Sequence, residues 1–478
     1  MKQEKITNLQ PYAYPRASFL SGLVVLCGLA ALMLICVVGC KSATQLPLVF
    51  GCALAGVVAY KTGFSWNQIL DAMTRGIGDA LEAILILLCI GMLVGVWIVS
   101  GTVPTMIYYG LCIVTPEAFL PVVFVVTTLV GVVLGSWGAA GTIGLAFIGL
   151  APALGISLPI TAGTIVGAAY VSEIVSPLVD GPNLMAAVSK ADIFALCVRF
   201  LPVVLIVCVV STLLYLVWGL TFVDESIASG LAQGADGLSG TQAMLEALST
   251  HYALGPLTLV PLAVMLLCMF MRMPAIPAFL IAIVFGMIEA VLFQGCSISE
   301  VFSAAHIGAQ SQTNLAELDA LLSNGGLAAM MDTVSIVILV MAFSGMAQHL
   351  HLIDEVIERL TAHLKSFAQL VGATVISGAL FNTLLPDQYP AITLSSQMYG
   401  EKFKQHGTPD EVWANIVNSS AGITSVLIPW NTCAVYMVTV LGVDCLSYAP
   451  FALFCYLYPL VVAAIGVFAG RRMKWCSK

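Results

Sequence analysis

The chain has 478 residues, with 17 Lys or Arg and 25 Asp or Glu, so charged side chains make up 9% and hydrophobic ones 60%. A soluble globular chain carries about 25% charge, and a chain this apolar is neither disordered nor able to present a surface to water. A net charge of −8 excludes a nucleic-acid binder, which needs a basic face; what remains is an all-α, polytopic membrane protein with room for about 11–13 spans of about 20 residues.

In chain order, Lys2, Lys5 and Arg16 precede the apolar run Phe19–Val38, which ends in Val38-Gly39-Cys40. A full-length span with further spans downstream favours a retained first helix over a cleaved lipoprotein signal. Apolar runs then predict spans over Ser18–Gly39, Leu46–Tyr60, Leu81–Ser100, Ala118–Ser136, Gly138–Ile156, Leu158–Val175 and Ile193–Trp218. They continue over Leu257–Met271, Ala275–Phe293, Thr333–Gln348, Phe367–Leu385, Val412–Pro429 and Tyr448–Gly470. Gly101–Glu117, Pro177–Ser189, Gln388–Gly400 and Asn431–Val443 are apolar too, so some of these segments are expected to be broken helices or re-entrant hairpins. Of the cysteines, Cys27, Cys36, Cys52, Cys89, Cys197, Cys208, Cys268 and Cys455 lie inside apolar runs and no CxxC occurs, so they read as small hydrophobes.

Lys and Arg mark the cytoplasmic side. There are none between Arg75 and Lys190, between Arg199 and Arg272, or between Arg272 and Arg359, and the polar stretches in the last two gaps are acidic. Thr221–His251 and Gln294–Met331 are therefore expected outside and both termini inside, in the cytoplasmic membrane of a bacterium. Lys41 fits this pattern least well. Two stretches read alike 249 residues apart: Ser176-Pro177-Leu178-Val179-Asp180-Gly181-Pro182-Asn183 and Ser425-Val426-Leu427-Ile428-Pro429-Trp430-Asn431-Thr432. Leu81–Ser100 runs outward from Arg75, whereas Thr333–Gln348 runs inward to Arg359. Such opposed copies define an inverted-topology repeat, an architecture of secondary transporters. The organisation that follows is an N-terminal pair of spans (1–63), a first transport repeat (64–220), a connection with two helices (221–293), a second, inverted repeat (294–470) and a tail (471–478).

An ionisable group at mid-membrane costs about 2.5–3.5 kcal/mol, so such residues are functional suspects. Glu173, Asp180, Asp387 and Asp332 are the candidates, with Asp332 also readable as a helix cap. Pro177, Pro182, Pro386, Pro390 and Pro429 interrupt the backbone around them. Freed carbonyls together with Ser136, Thr142, Ser176, Asn183, Thr424, Ser425, Asn431 and Thr432 supply oxygens for a hard monovalent cation. A carboxylate that takes either the cation or a proton would exchange one for the other, which points to Asp180, Asp387 and Glu173 for coupling, with Asp180 and Asp387 as the sodium ligands. Any one of these hydroxyls has the alternative of bonding back to its own helix. No HExxH, Walker or GxSxG motif is present, so no cofactor, ATP drive or nucleophilic chemistry is expected.

From about Leu46 to Phe468 the chain resembles the NhaC family of sodium/proton antiporters, whose relatives include sodium-coupled malate/lactate antiporters. The resemblance is carried by Gly91-Met92-Leu93-Val94-Gly95-Val96-Trp97-Ile98 with Val103–Gly110, by Ser136-Trp137-Gly138 through Gly144, and by Ser176-Pro177-Leu178 with Asp180 and Asn183. It continues in Asp387-Gln388-Tyr389 and in Leu427-Ile428-Pro429-Trp430-Asn431-Thr432-Cys433. It implies an inverted repeat and gradient-driven exchange. The departures remove charge. Relative to the family pattern a lysine is lost in Ser172-Glu173-Ile174-Val175, two threonines become Gly181 and Pro182, a basic residue becomes Gln397, and an acidic pair aligns with Asn418 and Ser419. Sodium/proton exchange is thus the leading reading, and a sodium- or proton-coupled carrier of a small organic acid or amino acid is the alternative. A channel or scaffold ranks behind both, and a membrane enzyme last. The expected partners are the lipid bilayer, a small cation or organic solute, and a second copy in a homodimer.

Overall fold

A computed structural model describes residues 17–40, 42–113, 115–177, 179–221, 240–271, 273–313, 315, 318–319, 322–352, 355, 366–385, 387–470, 472 and 475, and among these no strand occurs. Among the described residues seven helices are long and apolar enough to cross a membrane, and up to 11 spans result if each sharply bent pair counts as one. The thirteen described cysteines are free thiols, and Cys27 is exposed rather than buried.

The helices group into two compact units. Unit 1, Met1–Ala80 with Ile338–His363, holds α1 (Phe19–Met33), α2 (Gln45–Thr62), α3 (Trp66–Asp79) and the last part of a later helix, Met331–His349. The short helix α3 starts at a reciprocal cap between Ser65 and Gln68. It meets the later helix backbone to backbone, since a Cβ on Gly345 would lie 2.3 Å from the Ala72 carbonyl.

Unit 2, Leu81–Val337 with Leu364–Lys478, begins with α4 (Leu81–Val99), α5 (Thr102–Ile113), α6 (Pro116–Ala139), α7 (Leu145–Ala153), α8 (Leu158–Ala169), α9 (Ser172–Val175), α10 (Asp180–Ser189), α11 (Ile193–Arg199) and α12 (Leu201–Thr221). After α13 (Gly240–His251), α14 (Val260–Phe270), α15 (Ala275–Leu292) and α16 (Ile298–His306), the series recurs. It comprises α17 (Met331–His349), α18 (Phe367–Leu384), α19 (Gln388–Gln405), α20 (Asp410–Ala421), α21 (Thr432–Leu441), α22 (Cys445–Tyr448) and α23 (Leu453–Ala464). Helices starting at Leu81, Pro116, Leu158, Asp180 and Leu201 have counterparts starting at Met331, Phe367, Asp410, Thr432 and Leu453, 250 to 252 residues later. The element spacing therefore exceeds the 249 read from letters, and it aligns Ser136 with Asp387 and Asp180 with Thr432. Asp332 is exposed in the first turn of α17 and does not cap it.

The two long predicted spans in the first repeat, Ala118–Ser136 and Gly138–Ile156, are the arms of a hairpin. The ring centroids of Phe119 and Phe147 are 6.0 Å apart, whereas 28 residues of continuous helix would separate them by about 42 Å. The chain turns at Gly135, whose φ of 78° and ψ of 170° belong to glycine. In the second repeat α18 and α19 form the matching hairpin. Phe367 packs on Phe403 with centroids 6.0 Å apart, and the Ser377 and Tyr399 hydroxyls lie 2.9 Å apart. At its tip Leu385 and Asp387 are extended, and Asp387 caps α19. Each hairpin is followed by a broken helix. Ser176 and Val179 are extended between α9 and α10. Asp410–Leu427 and Thr432–Leu441 bend by 46° across Ile428–Asn431. The apolar gaps noted in the sequence are thus the second halves of bent or hairpin elements.

Candidate functional site

A broken helix frees carbonyls and amides that water cannot reach in a bilayer, so side chains must satisfy them. Several of the polar residues singled out in the sequence do this. Ser176 Oγ donates to the Val132 carbonyl at 2.7 Å, the acceptor left free by the turn at Gly135. Asn183 Nδ2 donates to the Pro177 and Val179 carbonyls at 3.1 and 2.8 Å. Thr142 bonds back to the Gly138 carbonyl at 2.6 Å and Thr424 to the Ser420 carbonyl at 2.7 Å. Asn431 Oδ1 accepts the Cys433 amide at 3.1 Å as the cap of α21, and its Nδ2 reaches Asn382 at 3.4 Å. Ser425 Oγ donates to the Gly422 carbonyl at 2.7 Å and lies 3.5 Å from Gln388 Oε1.

Two carboxyl groups stand apart from this backbone repair. Glu173 is 2% exposed and Asp387 5% exposed. Ser136, at the first hairpin tip, donates its hydroxyl to Glu173 Oε1 at 2.6 Å. Thr432, at the start of α21, donates to Asp387 Oδ2 at 2.5 Å, while the Tyr389 amide donates to Asp387 Oδ1 at 2.8 Å. Each acid therefore sits where a hairpin tip meets a broken helix. Ser136, which holds Glu173, adjoins Trp137, and Thr432, which holds Asp387, lies one turn from the Tyr436 that covers Trp137, so the two acids border one polar neighbourhood. Asp180 opens α10, but its side chain, like Leu178 and Pro386, lies outside the described residues.

The two repeats are joined at the same place. Tyr436 stacks on Trp137 with centroids 4.4 Å apart and planes 9° apart, and its hydroxyl donates to the Trp137 carbonyl at 2.6 Å. Asn418 Nδ2 donates to the Glu173 carbonyl at 2.6 Å, and Asn415 Nδ2 to the Leu196 carbonyl at 2.8 Å. Tyr170, Asn382 and Tyr436 were not marked by the sequence, and Gln388 and Cys433 only as members of the blocks that carry the resemblance; nothing distinguishes a polar residue in an apolar run until the opposite break is placed beside it. Among the described residues no lysine or arginine is buried, and none of the His, Cys, Asp and Glu side chains forms a cluster able to ligate a metal.

A profile of the Na+/H+ antiporter family matches residues 227–470. The Na+/H+ antiporter NhaC of Alkalihalophilus pseudofirmus is 30% identical over 92% of this chain and 94% of its own length. The chain belongs to the Na+/H+ antiporter family. It is thus a membrane transporter of several spans and not an enzyme. Two relatives of similar likeness have other cargo in their names. The malate-2H+/Na+-lactate antiporter of Bacillus subtilis is 29% identical over 85% of each chain. The arginine/ornithine antiporter ArcD of Halobacterium salinarum is 29% identical over 96% of this chain and 93% of its own.

Proposed function

We propose that the chain exchanges sodium for protons across a bacterial cytoplasmic membrane, with Glu173 and Asp387 as the exchanging carboxyl groups and Asp180 as a third candidate at the same break. The observation that carries this reading is charge. The site has two buried acids, oxygen-bearing neighbours and, among the described residues, no buried cation to hold an anionic substrate. A sodium ion and a proton compete for the same carboxylate, so loading one expels the other. The hydroxyls of Ser136 and Thr432 hold each acid in place, and the broken helices supply carbonyl oxygens for the ion. The transport repeats are proposed to span 64–220 and 294–470, flanked by 1–63, 221–293 and the tail 471–478. Both termini are placed in the cytoplasm on the distribution of Lys and Arg. The bilayer is the required partner, a homodimer the proposed assembly, and no cofactor is invoked.

The test is proton movement in everted vesicles carrying a preformed acid-inside gradient. Sodium or lithium should dissipate it, and Asp387→Asn and Glu173→Gln should each abolish the response in protein shown to be inserted. The second reading, exchange of small carboxylates or amino acids, is favoured by the names of the Bacillus and Halobacterium relatives. No cation response, with uptake of labelled malate, lactate or arginine instead, would replace the first reading by the second.

A further inference from the structure

Glu289, in α15, belongs to neither hairpin and to neither broken helix. It is 4% exposed, and among the described residues neither carboxyl oxygen has a hydrogen-bond partner. Buried polar groups are almost always paired, so an orphaned acid calls for an explanation. A second orphan sits in the same interface. Trp97, in α4, is 1% exposed, and its buried Nε1 finds no acceptor among the described residues. A Cβ on Gly286, one turn before Glu289, would lie 3.7 Å from that nitrogen. Just past α15, Gln294 Nε2 donates to the carbonyl of Ser100, one turn beyond Trp97, at 3.0 Å. Contacts with the end of α4 therefore bracket Glu289 on both sides, and residues three apart on a helix are neighbours on one face.

The surroundings offer this acid no charge. α4, α14 and α16 pack on α15, and none of the four helices contains a lysine or arginine. Their described titratable side chains, Glu289 apart, are Cys89 in α4, Cys268 in α14, and Glu300 and His306 in α16. The last two are exposed, and Glu300 accepts the Ser297 amide and hydroxyl at 2.7 and 2.8 Å. Nearby donors are already committed. Cys296 Sγ donates to the Val99 carbonyl at 3.8 Å, and Gln294 Nε2 also serves the Ala253 carbonyl at 3.0 Å. A carboxylate enclosed in this way costs far more than the neutral acid. The indole N–H is a donor only, and it suits an ionised carboxylate. Donor and acid stand apart here, as a neutral acid permits.

We propose that Glu289 binds a proton of its own, separate from the exchange site, and that releasing it turns the carboxylate onto Trp97 Nε1. The neutral acid fits the packing as it stands. When the proton leaves to water beyond exposed Gly295, the new charge takes the uncommitted indole N–H, and α15 shifts against α4 as the two groups close up. Glu289 belongs to no metal-ligating cluster among the described residues, so sodium does not compete for this site. The proposal goes beyond the sodium-exchange reading and does not depend on it.

The experiment titrates the full-length protein in detergent from neutral to alkaline pH, with Glu289→Gln and Trp97→Phe alongside. Glutamine keeps the shape and cannot ionise; phenylalanine removes the N–H. Tryptophan emission should change reversibly with pH in the wild type, equally in NaCl and in equimolar choline chloride, and both variants should lose that change. In infrared spectra at neutral pH, wild type minus Glu289→Gln should show the carbonyl band of a protonated acid, which alkali converts to carboxylate. The emission of Trp97→Phe needs no change at Glu289, so the proposal can still fail where Glu289→Gln does not fold. A wild type without an emission change, a variant that keeps the full change, or a carboxylate band in place of the acid band at neutral pH would each overturn the assignment. A transition displaced by NaCl would overturn its separation from the exchange site.

Discussion

The turn at Gly135 gives the sharpest test of how the first hairpin is made. With φ 78° and ψ 170° the residue occupies a region that is open to glycine and nearly closed to other residues. Gly135→Ala puts a methyl there with, among the described residues, only Val179 Cγ2 nearby, at 3.6 Å, an ordinary contact. Sterics outside the residue therefore add nothing, and the cost is that of the backbone alone, about 1–3 kcal/mol. That corresponds to about a 5- to 150-fold loss in the population of the folded tip. Ser136 is the next residue, so its bond to Glu173 is lost whenever the tip relaxes. The control is Gly131→Ala, on the same arm, where the added Cβ would meet the Ala169 carbonyl at 3.4 Å in helical backbone. There alanine should be neutral or stabilising by up to about 1 kcal/mol. The assay is the initial rate of sodium-induced proton movement per inserted molecule, together with the unfolding temperature. Gly135→Ala should lose both rate and stability while Gly131→Ala keeps them. If Gly135→Ala matches wild type in both readouts, or if Gly131→Ala suffers equally, the account of the hairpin is wrong.

Thr432→Val removes the hydroxyl from Asp387 at constant shape, and Thr432→Ser keeps it; a hydrogen bond to a charged group is worth about 1.5–3 kcal/mol. Exchange measured in everted vesicles should fall at least tenfold in the valine variant and survive in the serine variant. Glu289, on α15, is 4% exposed and, among the described residues, neither carboxyl oxygen has a hydrogen-bond partner. Glu289→Leu should therefore raise the unfolding midpoint in detergent, by a stabilisation of about 1–3 kcal/mol; a lower midpoint would mean that the acid is satisfied in the folded protein.

Much of this architecture is written in local chemistry. Long apolar runs give the helices, and the duplicated pattern around Ser176 and Ser425 gives the repeat. Proline marks the breaks at Pro177 and Pro429. The hairpin at Gly135 is not legible in the same way. Gly131, Gly135, Gly138, Gly141 and Gly144 look equivalent as letters, and only the fold selects which one turns the chain. Hydroxyls and amides behave similarly. Ser136 and Thr432 serve carboxyl groups, whereas Thr142, Ser176, Asn183 and Thr424 serve carbonyls. That choice depends on which segment of the other repeat lies opposite. Asn418 read as a lost charge in the sequence; in the fold its Nδ2 ties α20 to the Glu173 carbonyl.

The contacts that join the repeats bear on how the site changes sides. Trp137 with Tyr436, Glu173 with Asn418, Leu196 with Asn415, and Tyr215, whose hydroxyl donates to the Phe451 carbonyl at 2.7 Å, stitch hairpin, broken helices and flanking helices of both copies together. Conformers that interconvert during turnover differ by only a few kcal/mol. Prising one repeat away from the other would have to undo all four ties in one step. Such a seam favours moving the stitched elements together, as one carriage, over opening a gap between the two copies.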